Sequence, residues 1–176
     1  MKNIFFVSDT HFGHANCLKF KRQDGSPLRV FESVEEMDET MITRWNSVVG
    51  PHDRVYHCGD VVIKKEFLQK VLPRLNGKKV LLMGNHDIYG HSEYLKYFED
   101  IRAYKVMPEH NLIASHIPVY CDMLNGSITH NIHGHLHANR VLRENKVDKQ
   151  YINVSVECIN YTPITLDEIL SIKNVQ

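Results

Sequence analysis

The segment VLLMGNHD, residues 80–87, organises the interpretation of the whole chain. Residues 80–83 form an unbroken apolar run that a glycine ends, which predicts a buried β-strand. In open α/β sheets, ligands bind just beyond the carboxyl ends of the strands. Asn85, His86 and Asp87 therefore stand where a functional loop is expected. An amide, an imidazole and a carboxylate in succession are suited to holding a metal ion and moving a proton.

The composition is that of an ordinary globular protein, with 43% hydrophobic and 24% charged residues, and we expect one domain over residues 1–176. Lys+Arg and Asp+Glu both number 21. The formal net charge of zero weighs against the large basic surface that grips nucleic acid. The cysteines form no CxxC pair, which favours a reducing compartment. Only residues 4–7 form an apolar run near the start, too few for a signal peptide or membrane span, so we predict a cytoplasmic protein.

Apolar periodicity and turn residues divide the chain into two halves. The first half alternates predicted strands with predicted helices: strands at 4–7, 54–58 and 80–83, helices from 33 to 49, 64 to 75 and 91 to 98. Capping boxes begin the first helix, at Ser33 and Glu36, and a last helix that runs from Thr165 to residue 172. Between them lie predicted strands at 101–106, 111–115, 128–133 and 151–155. We expect a parallel first half and a more antiparallel second half.

Five small polar clusters each follow a predicted strand: Asp9-x-His11, Gly59-Asp60, Gly84-Asn85-His86-Asp87, His116 and Gly134-His135-x-His137. Carboxylate, imidazole and amide groups coordinate hard or borderline divalent cations. No cysteine is among them, which excludes a finger-type zinc site. Each cluster alone has an ordinary structural explanation, such as a turn or a strand-end histidine. Their conjunction favours a metal site, since strands of one sandwich can present all five loops at one edge.

The complete series, spanning residues 9–137, resembles the signature of the calcineurin-like metallophosphoesterase family, and most closely its small single-domain members. The resemblance implies an α/β (α+β) fold, a four-layer αββα sandwich of two mixed β-sheets packed face to face with helices outside. It implies hydrolysis of phosphodiesters or phosphomonoesters with two divalent metal ions. Mn²⁺ is favoured, although nitrogen and oxygen ligands also accept Fe, Zn, Ni or Co.

The resemblance also implies a role for each residue. Seven would be ligands: Asp9, His11 and His137 of the first ion, Asn85, His116 and His135 of the second, and Asp60 of both. His86 would protonate the leaving oxygen, and Asp87 would orient His86. The chemistry is consistent, because two cations clamp a phosphate and generate a bridging hydroxide for in-line attack. An imidazole that titrates near neutrality can supply the proton.

Several alternatives remain open at this level. His14 is either a loop residue or a substrate contact, and Arg140 is either solvated or a phosphate contact. A catalytically silent interaction scaffold of the same fold would be expected to lack a ligand or the acid, and neither is missing here. A nuclease is less favoured because the net charge is zero. The expected substrate is a small phosphate ester or nucleotide, with no membrane partner, and its specificity is expected in loops 14–32, 88–100 and 117–127.

Overall fold

The first half alternates strands and helices as the apolar patterns predict. A computed structural model, which describes residues 2–175, contains β1 (Ile4–Val7), α1 (Val34–Val48), β2 (Arg54–His57), α2 (Glu66–Val71), β3 (Lys78–Leu82), α3 (His91–Tyr94) and β4 (Asp100–Arg102). The predicted cap of α1 is confirmed, since the Ser33 hydroxyl accepts a hydrogen bond from the Glu36 amide at 3.1 Å. The 3-10 turn Leu72–Arg74 follows α2, as expected where a proline removes a backbone donor.

The second half is mostly strands. Its elements are β5 (Tyr104–Met107), β6 (Leu112–Ser115), β7 (His130–His133), β8 (Leu142–Arg143), β9 (Lys146–Val147), β10 (Tyr151–Asn153), β11 (Ile164–Thr165) and α4 (Leu166–Val175). The predicted capping box of α4 is confirmed, because the amide of Glu168 donates to the Thr165 hydroxyl at 3.1 Å. The Glu168 carboxylate accepts in return from the Thr165 amide at 2.7 Å. Among residues 2–175, no helix has the length and apolar character needed to cross a membrane.

The strands form two mixed sheets. The first has the order β11-β1-β2-β3-β4, in which β1 to β4 are parallel and β11 pairs antiparallel with β1. The second has the order β10-β7-β6-β5, and only β5 runs antiparallel to its neighbour. All three antiparallel pairs among the described strands, β5-β6, β8-β9 and β11-β1, involve strands of the second half, which confirms the expectation of a more antiparallel second half. The parallel pairs of this half, β6-β7 and β7-β10, are joined by long connections. Segments 116–129 and 134–150 are long enough to be crossovers, and crossovers connect parallel strands.

Alternating side chains of β1 divide the core into layers. Phe5 and Val7 pack with residues of α1, including Trp45, on the helix side of the first sheet. Phe6 points the other way and packs with Leu112 and other residues of the second sheet. Leu124 of a 3-10 turn, Cys121–Leu124, packs against part of the outer face of the second sheet. Two mixed sheets packed face to face, with helices outside, confirm the predicted fold class.

Other differences concern the extent of elements. The single predicted strand 101–106 is two strands, because Ala103 separates β4 in the first sheet from β5 in the second. The predicted helix 91–98 ends at Tyr94, and the last helix continues to Val175. The hairpin β8-β9 and strand β11 were not predicted, since strands of two residues are too short to show a period.

Candidate metal centre

The loops after β1, β2, β3, β6 and β7 converge at one edge of the sandwich, as the strand-end positions predict. At the middle of this edge is the Asp60 carboxylate. Its Oδ2 lies 3.5 Å from Nε2 of His11 and 3.5 Å from Nε2 of His116. The two imidazoles come from different sheets, so one carboxylate oxygen stands between two groups of donors.

The first group of donors is Asp9, His11 and His137, whose donor atoms lie within 4.8 Å of one another. Oδ1 of Asp9 is 3.9 Å from Nε2 of His11 and 4.0 Å from Nε2 of His137. Donors that each bind one ion at about 2.0–2.2 Å are themselves roughly 3–4 Å apart. The separations therefore suit a shared cation better than direct hydrogen bonds.

The second group is more compact and is made by Asn85, His116 and His135. Oδ1 of Asn85 is 2.9 Å from Nε2 of His116 and 2.9 Å from Nδ1 of His135. The other ring nitrogen of His116 lies 2.8 Å from the carbonyl oxygen of Cys58. A donation from Nδ1 to that carbonyl leaves the Nε2 lone pair free to act as a ligand.

Unpaired polar atoms test whether these residues fit a cation. Oδ1 of Asp9 and both ring nitrogens of His11 are buried and have no hydrogen-bond partner among the described residues. Buried polar atoms are nearly always paired, because an unpaired one carries the full cost of desolvation. Burial also raises the pKa of Asp9 and lowers the pKa of His11. A divalent ion would satisfy Oδ1 of Asp9 and one ring nitrogen of His11 and would stabilise the carboxylate form, so the residues fit.

Backbone geometry marks the same residues. Five candidate ligands have left-handed backbone angles, with φ of 57° at Asp9, 47° at His11, 59° at Asp60, 66° at His135 and 49° at His137. Non-glycine residues rarely adopt positive φ, and those that do cluster at functional sites. The backbone conformation of these loops therefore sets the direction of the five candidate ligand side chains.

Two glycines allow the loops to approach each other. A β-carbon at Gly84 would overlap the carboxylate and amide of Asp60. One at Gly134 would overlap the Ser8 hydroxyl and the Asp9 carboxylate. Both glycines follow strands and leave space that the acidic side chains fill.

His86 and Asp87 have different surroundings. The His86 amide donates to Oδ1 of Asp60 at 2.8 Å, while its ring is exposed with its centre 5.4 Å from that of His11. Its imidazole therefore stands at the open side of the centre, where a substrate could reach it.

Among the described residues, the Asp87 carboxylate makes no hydrogen bond to the His86 ring, and the orienting role that the resemblance implies stays a prediction. The carboxylate accepts hydrogen bonds from the amides of Asp60 at 2.8 Å, Val61 at 3.0 Å and Gly84 at 2.9 Å. Burial raises the pKa of this carboxyl, and the three amides oppose that shift. Its side chain thus ties the loop after β2 to the loop after β3, because backbone amides satisfy a buried carboxylate.

A buried ion pair supports the first group and was not predicted. Nδ1 of His137 is 3.1 Å from Oε1 of Glu157, and Nε of Arg29 donates to the same oxygen at 2.7 Å. Arg29 also donates to the carbonyl oxygens of Asp9 and Thr10. Burial is the largest influence and would lower the pKa of His137, but the hydrogen bond to Glu157 and the negative charges of Glu157 and Asp9 together raise it. Burial would raise the pKa of Glu157, but the Arg29 charge and the hydrogen bond from His137 together lower it.

One signal could have identified Glu157. It lies two residues beyond the predicted strand 151–155, the position that Asp9, Asp60, Asn85 and His135 occupy after their own predicted strands. Arg29 carries no such signal, because it lies in a polar loop that reads as solvated and yet is 1% exposed. A carboxylate that fixes a ligating histidine through its second nitrogen is a recurrent support of metal sites.

The two candidate substrate contacts are placed differently. His14 is half-buried, with its ring centre 5.5 Å from that of His11 and its Nδ1 3.2 Å from Sγ of Cys17. It therefore lies beside the first group of donors. Arg140 is exposed and lines a separate cleft with Tyr151 and Cys158 that includes none of the candidate ligands.

Comparison with known proteins gives a consistent result. Residues 2–171 match the family model for calcineurin-like phosphoesterases. An uncharacterised protein of Methanocaldococcus jannaschii is 40% identical over 98% of this chain and 92% of its own length. The gene 66 protein of Mycobacterium phage L5 is 32% identical over 69% of this chain and 58% of its own. A crystal structure of a protein of unknown function from Aquifex aeolicus superposes with a TM-score of 0.73 and 27% identity, covering 96% of this chain and 98% of that one.

Proposed function

The chain belongs to the calcineurin-like phosphoesterase family, whose members carry out metal-dependent phosphoester hydrolysis, and on that premise we propose a dinuclear phosphodiesterase. The proposed substrates are phosphodiesters, with phosphomonoesters as a second class. The observation that carries the proposal is the position of Asp60, whose Oδ2 is 3.5 Å from an imidazole of each donor group. A single carboxylate between two sets of donors suits a pair of cations bridged by that carboxylate.

The ligand assignment follows the two groups. We assign one ion to Asp9, His11 and His137 and the other to Asn85, His116 and His135, with Asp60 shared. Divalent ions, Mn²⁺ foremost, would supply charge neutralisation at the phosphate and an activated water as nucleophile. The unpaired Asp9 and His11 atoms support this assignment, because a cation would give them partners.

The chain's own residues supply binding geometry and a proton. The exposed imidazole of His86 stands beside the donor groups and would donate its proton to the leaving alkoxide. Its amide bond to Asp60 fixes the backbone of His86 relative to the shared carboxylate. Asp87 would affect this step by fixing the loop that carries His86, since its carboxylate joins the loop after β2 to the loop after β3.

The test is hydrolysis of bis-p-nitrophenyl phosphate and p-nitrophenyl phosphate by metal-stripped protein to which Mn²⁺ is returned. Asp60→Asn should lose bound metal and turnover together, because the amide removes the shared charge. Asp167→Asn, an exposed acid of α4, is the matched control and should keep both. Metal content is measured by elemental analysis, and the ratio of diester to monoester turnover ranks the two substrate classes.

Two outcomes would overturn the proposal. Two bound ions with no turnover of any ester would favour the catalytically silent scaffold. Salt-sensitive hydrolysis of DNA or RNA in preference to small esters would favour a nuclease.

The location of the protein in the cell is a separate proposal. The four cysteines are free in the structure, which supports a reducing cytoplasm.

A further inference from the structure

A cavity of about 690 Å³ opens beside the second group of donors. Gly84, Asn85 and His116 form the wall that it shares with the candidate metal centre. Its volume lies within the roughly 300–1,000 Å³ of small-molecule sites. We call it the apolar pocket; the rest of its lining is Met83, Ala103, Tyr104, Val106, Ile113, Ser115, Ile117, Val119, Met123 and Ile128.

The walls of the apolar pocket select for an uncharged group. No Asp, Glu, Lys or Arg is among its lining residues. The Ser115 hydroxyl in the lining is already hydrogen-bonded: it donates to the Ile117 carbonyl at 2.8 Å and accepts from the Asn131 side-chain amide at 3.0 Å. A charged group placed in these walls would lose its hydration without gaining a partner.

The rim of the apolar pocket exposes large side chains to solvent. Tyr104, Ile117 and Met123 are 57%, 55% and 60% exposed. Exposed apolar side chains that are grouped at the rim of one pocket are typical of a binding site. Because the pocket is continuous with Asn85 and His116, an occupant attached to a phosphate at the metal centre would cover it.

A second cleft, which one imidazole of each donor group borders, has a different character. A cleft of about 380 Å³ includes His135 and His137 together with Lys21 and Arg22. Its two cations suit a polar or anionic part of a ligand. The two cavities beside the candidate metal centre therefore differ in charge, and an apolar substituent is best placed in the apolar pocket.

We propose that the apolar pocket receives one organic ester group of the substrate, so that the enzyme prefers phosphodiesters with an apolar, preferably aromatic, alcohol. This rests on the proposed phosphodiesterase activity. Water adds across one P–O bond of the diester, its oxygen joining phosphorus while the released alkoxide takes a proton, and the products are an alcohol and a phosphomonoester. The pocket contributes the affinity of the apolar arm without taking part in bond breaking.

The experiment varies one arm of the diester while p-nitrophenol remains the leaving group. The second ester is methyl, phenyl or carboxymethyl, and kcat and KM are measured with Mn²⁺-loaded protein. The phenyl ester should exceed the methyl ester about tenfold in kcat/KM, mainly through KM, because burial of a ring is favourable. The carboxymethyl ester should be poorest. Equal kcat/KM for methyl and phenyl esters would overturn the pocket assignment and leave the proposed function standing.

A matched pair of variants tests the location. Met123→Asp places a charge on the pocket rim, and Leu142→Asp places one at an equally exposed position on β8, which is 59% exposed. The first should abolish the phenyl preference and the second should retain it. Loss of the preference in both variants, or in neither, would overturn the assignment.

Binding separates this proposal from the proposed function. Phenylphosphonate and methylphosphonate are titrated calorimetrically into wild type and Met123→Asp. Tighter phenylphosphonate binding that Met123→Asp removes would support the pocket even if no ester were hydrolysed, so that only the proposed activity would fail. Sedimentation tests a second copy of the chain as occupant: a wild-type dimer that Met123→Asp converts to monomer would overturn the substrate role.

Discussion

The guanidinium of Arg29 donates to the Glu157 carboxylate at 2.7 Å across 128 positions of sequence, and both side chains are 0% exposed. The same carboxylate oxygen is 3.1 Å from Nδ1 of His137. Arg29 also holds the carbonyl oxygens of Asp9 and Thr10. One buried ion pair thus joins the loop 21–32, the strand end after β1 and a candidate ligand.

Glu157→Gln should destabilise the protein and weaken its hold on metal. The variant leaves the Arg29 charge buried without its counterion, which costs about 3–5 kcal/mol in the free energy of unfolding. Metal affinity should fall about 10–100-fold, because His137 loses the carboxylate that fixes its ring. Denaturant unfolding in EDTA and competition with a chelator measure the two effects.

Glu39→Gln is the matched control for that prediction. Glu39 pairs with Arg74 at the surface, where the two side chains are 57% and 46% exposed. Its loss should cost less than about 1 kcal/mol, since water and ions screen exposed pairs. Equal effects of the two substitutions would show that burial of the Arg29–Glu157 pair has no energetic consequence.

Asp87→Asn should loosen the two loops that Asp87 joins. An amide has one oxygen where the carboxylate has two, and its NH₂ would face a backbone donor. The free energy of unfolding should fall by about 1–3 kcal/mol, because buried amides lose their acceptor. Bound metal should fall with it, and both are measured on the purified variant. A stable, metal-loaded variant impaired only with poor leaving groups would instead support a role for Asp87 in orienting His86.

His86→Ala should separate proton donation from metal binding. The ring is exposed and makes none of the close donor contacts of the two groups, so stability and metal content should be unchanged. Turnover of alkyl esters should fall about 10²–10⁴-fold, and that of p-nitrophenyl esters less, since p-nitrophenolate leaves without a proton. A variant stripped of both ions would contradict this division of roles. His91→Ala, at another exposed histidine, is the control.

Gly84→Ala should displace Asp60 and empty the centre of metal. A β-carbon there would overlap the Asp60 carboxylate and amide, and neither can move without breaking the contacts to His86 and Asp87. Gly90→Ala is the control, because its β-carbon would meet only the Ser92 hydroxyl at 3.8 Å. Metal content and diester turnover should be lost in the first variant and kept in the second; full metal binding by both would refute the role of Gly84.

His57 should make stability fall in acid. Its ring is buried between Trp45 and the Thr10 hydroxyl, and burial lowers its pKa from 6.5 to about 3. Below pH 6.5 the unfolded chain binds a proton that the folded chain excludes. The free energy of unfolding should therefore decline by up to about 1.4 kcal/mol per pH unit between these two pKa values.

His57→Gln removes that titration and serves as the comparison. Urea unfolding in EDTA at pH 8, 6 and 5 should show a shallower decline for the variant than for wild type. His52→Gln, at an exposed position, should retain the wild-type slope. Identical slopes for all three proteins would mean that the buried imidazole accepts a proton in the folded state.

The meeting of the polar clusters at one edge of the sandwich could be predicted, because each cluster follows its strand directly in the sequence. β1 and the second part of β3 are apolar runs that stop at polar clusters, β2 is followed by Gly59-Asp60, and parallel strands bring such ends to one edge. The ligand roles themselves remain proposals. The direction of β7 and β10 could not be predicted, because strand pairing depends on contacts distant in sequence that no period records.

The residues that support the candidate metal centre could not be predicted either, because their partners are distant in sequence or are backbone groups. Arg29 is polar in a polar loop, and only its contact with Glu157 shows that it is buried. The partners of Asp87 are backbone amides, which side-chain patterns do not reveal. The break at Ala103 was missed because the residues on both sides of it have strand character.

That single residue between β4 and β5 has a mechanical consequence. The chain passes from one sheet to the other at Ala103, and Ala103 and Tyr104 both line the apolar pocket. No loop separates the two strands, so the pairing of β4 with β3 in one sheet and of β5 with β6 in the other fixes both ends of this connection. That part of the pocket lining therefore moves only when the two sheets move relative to each other.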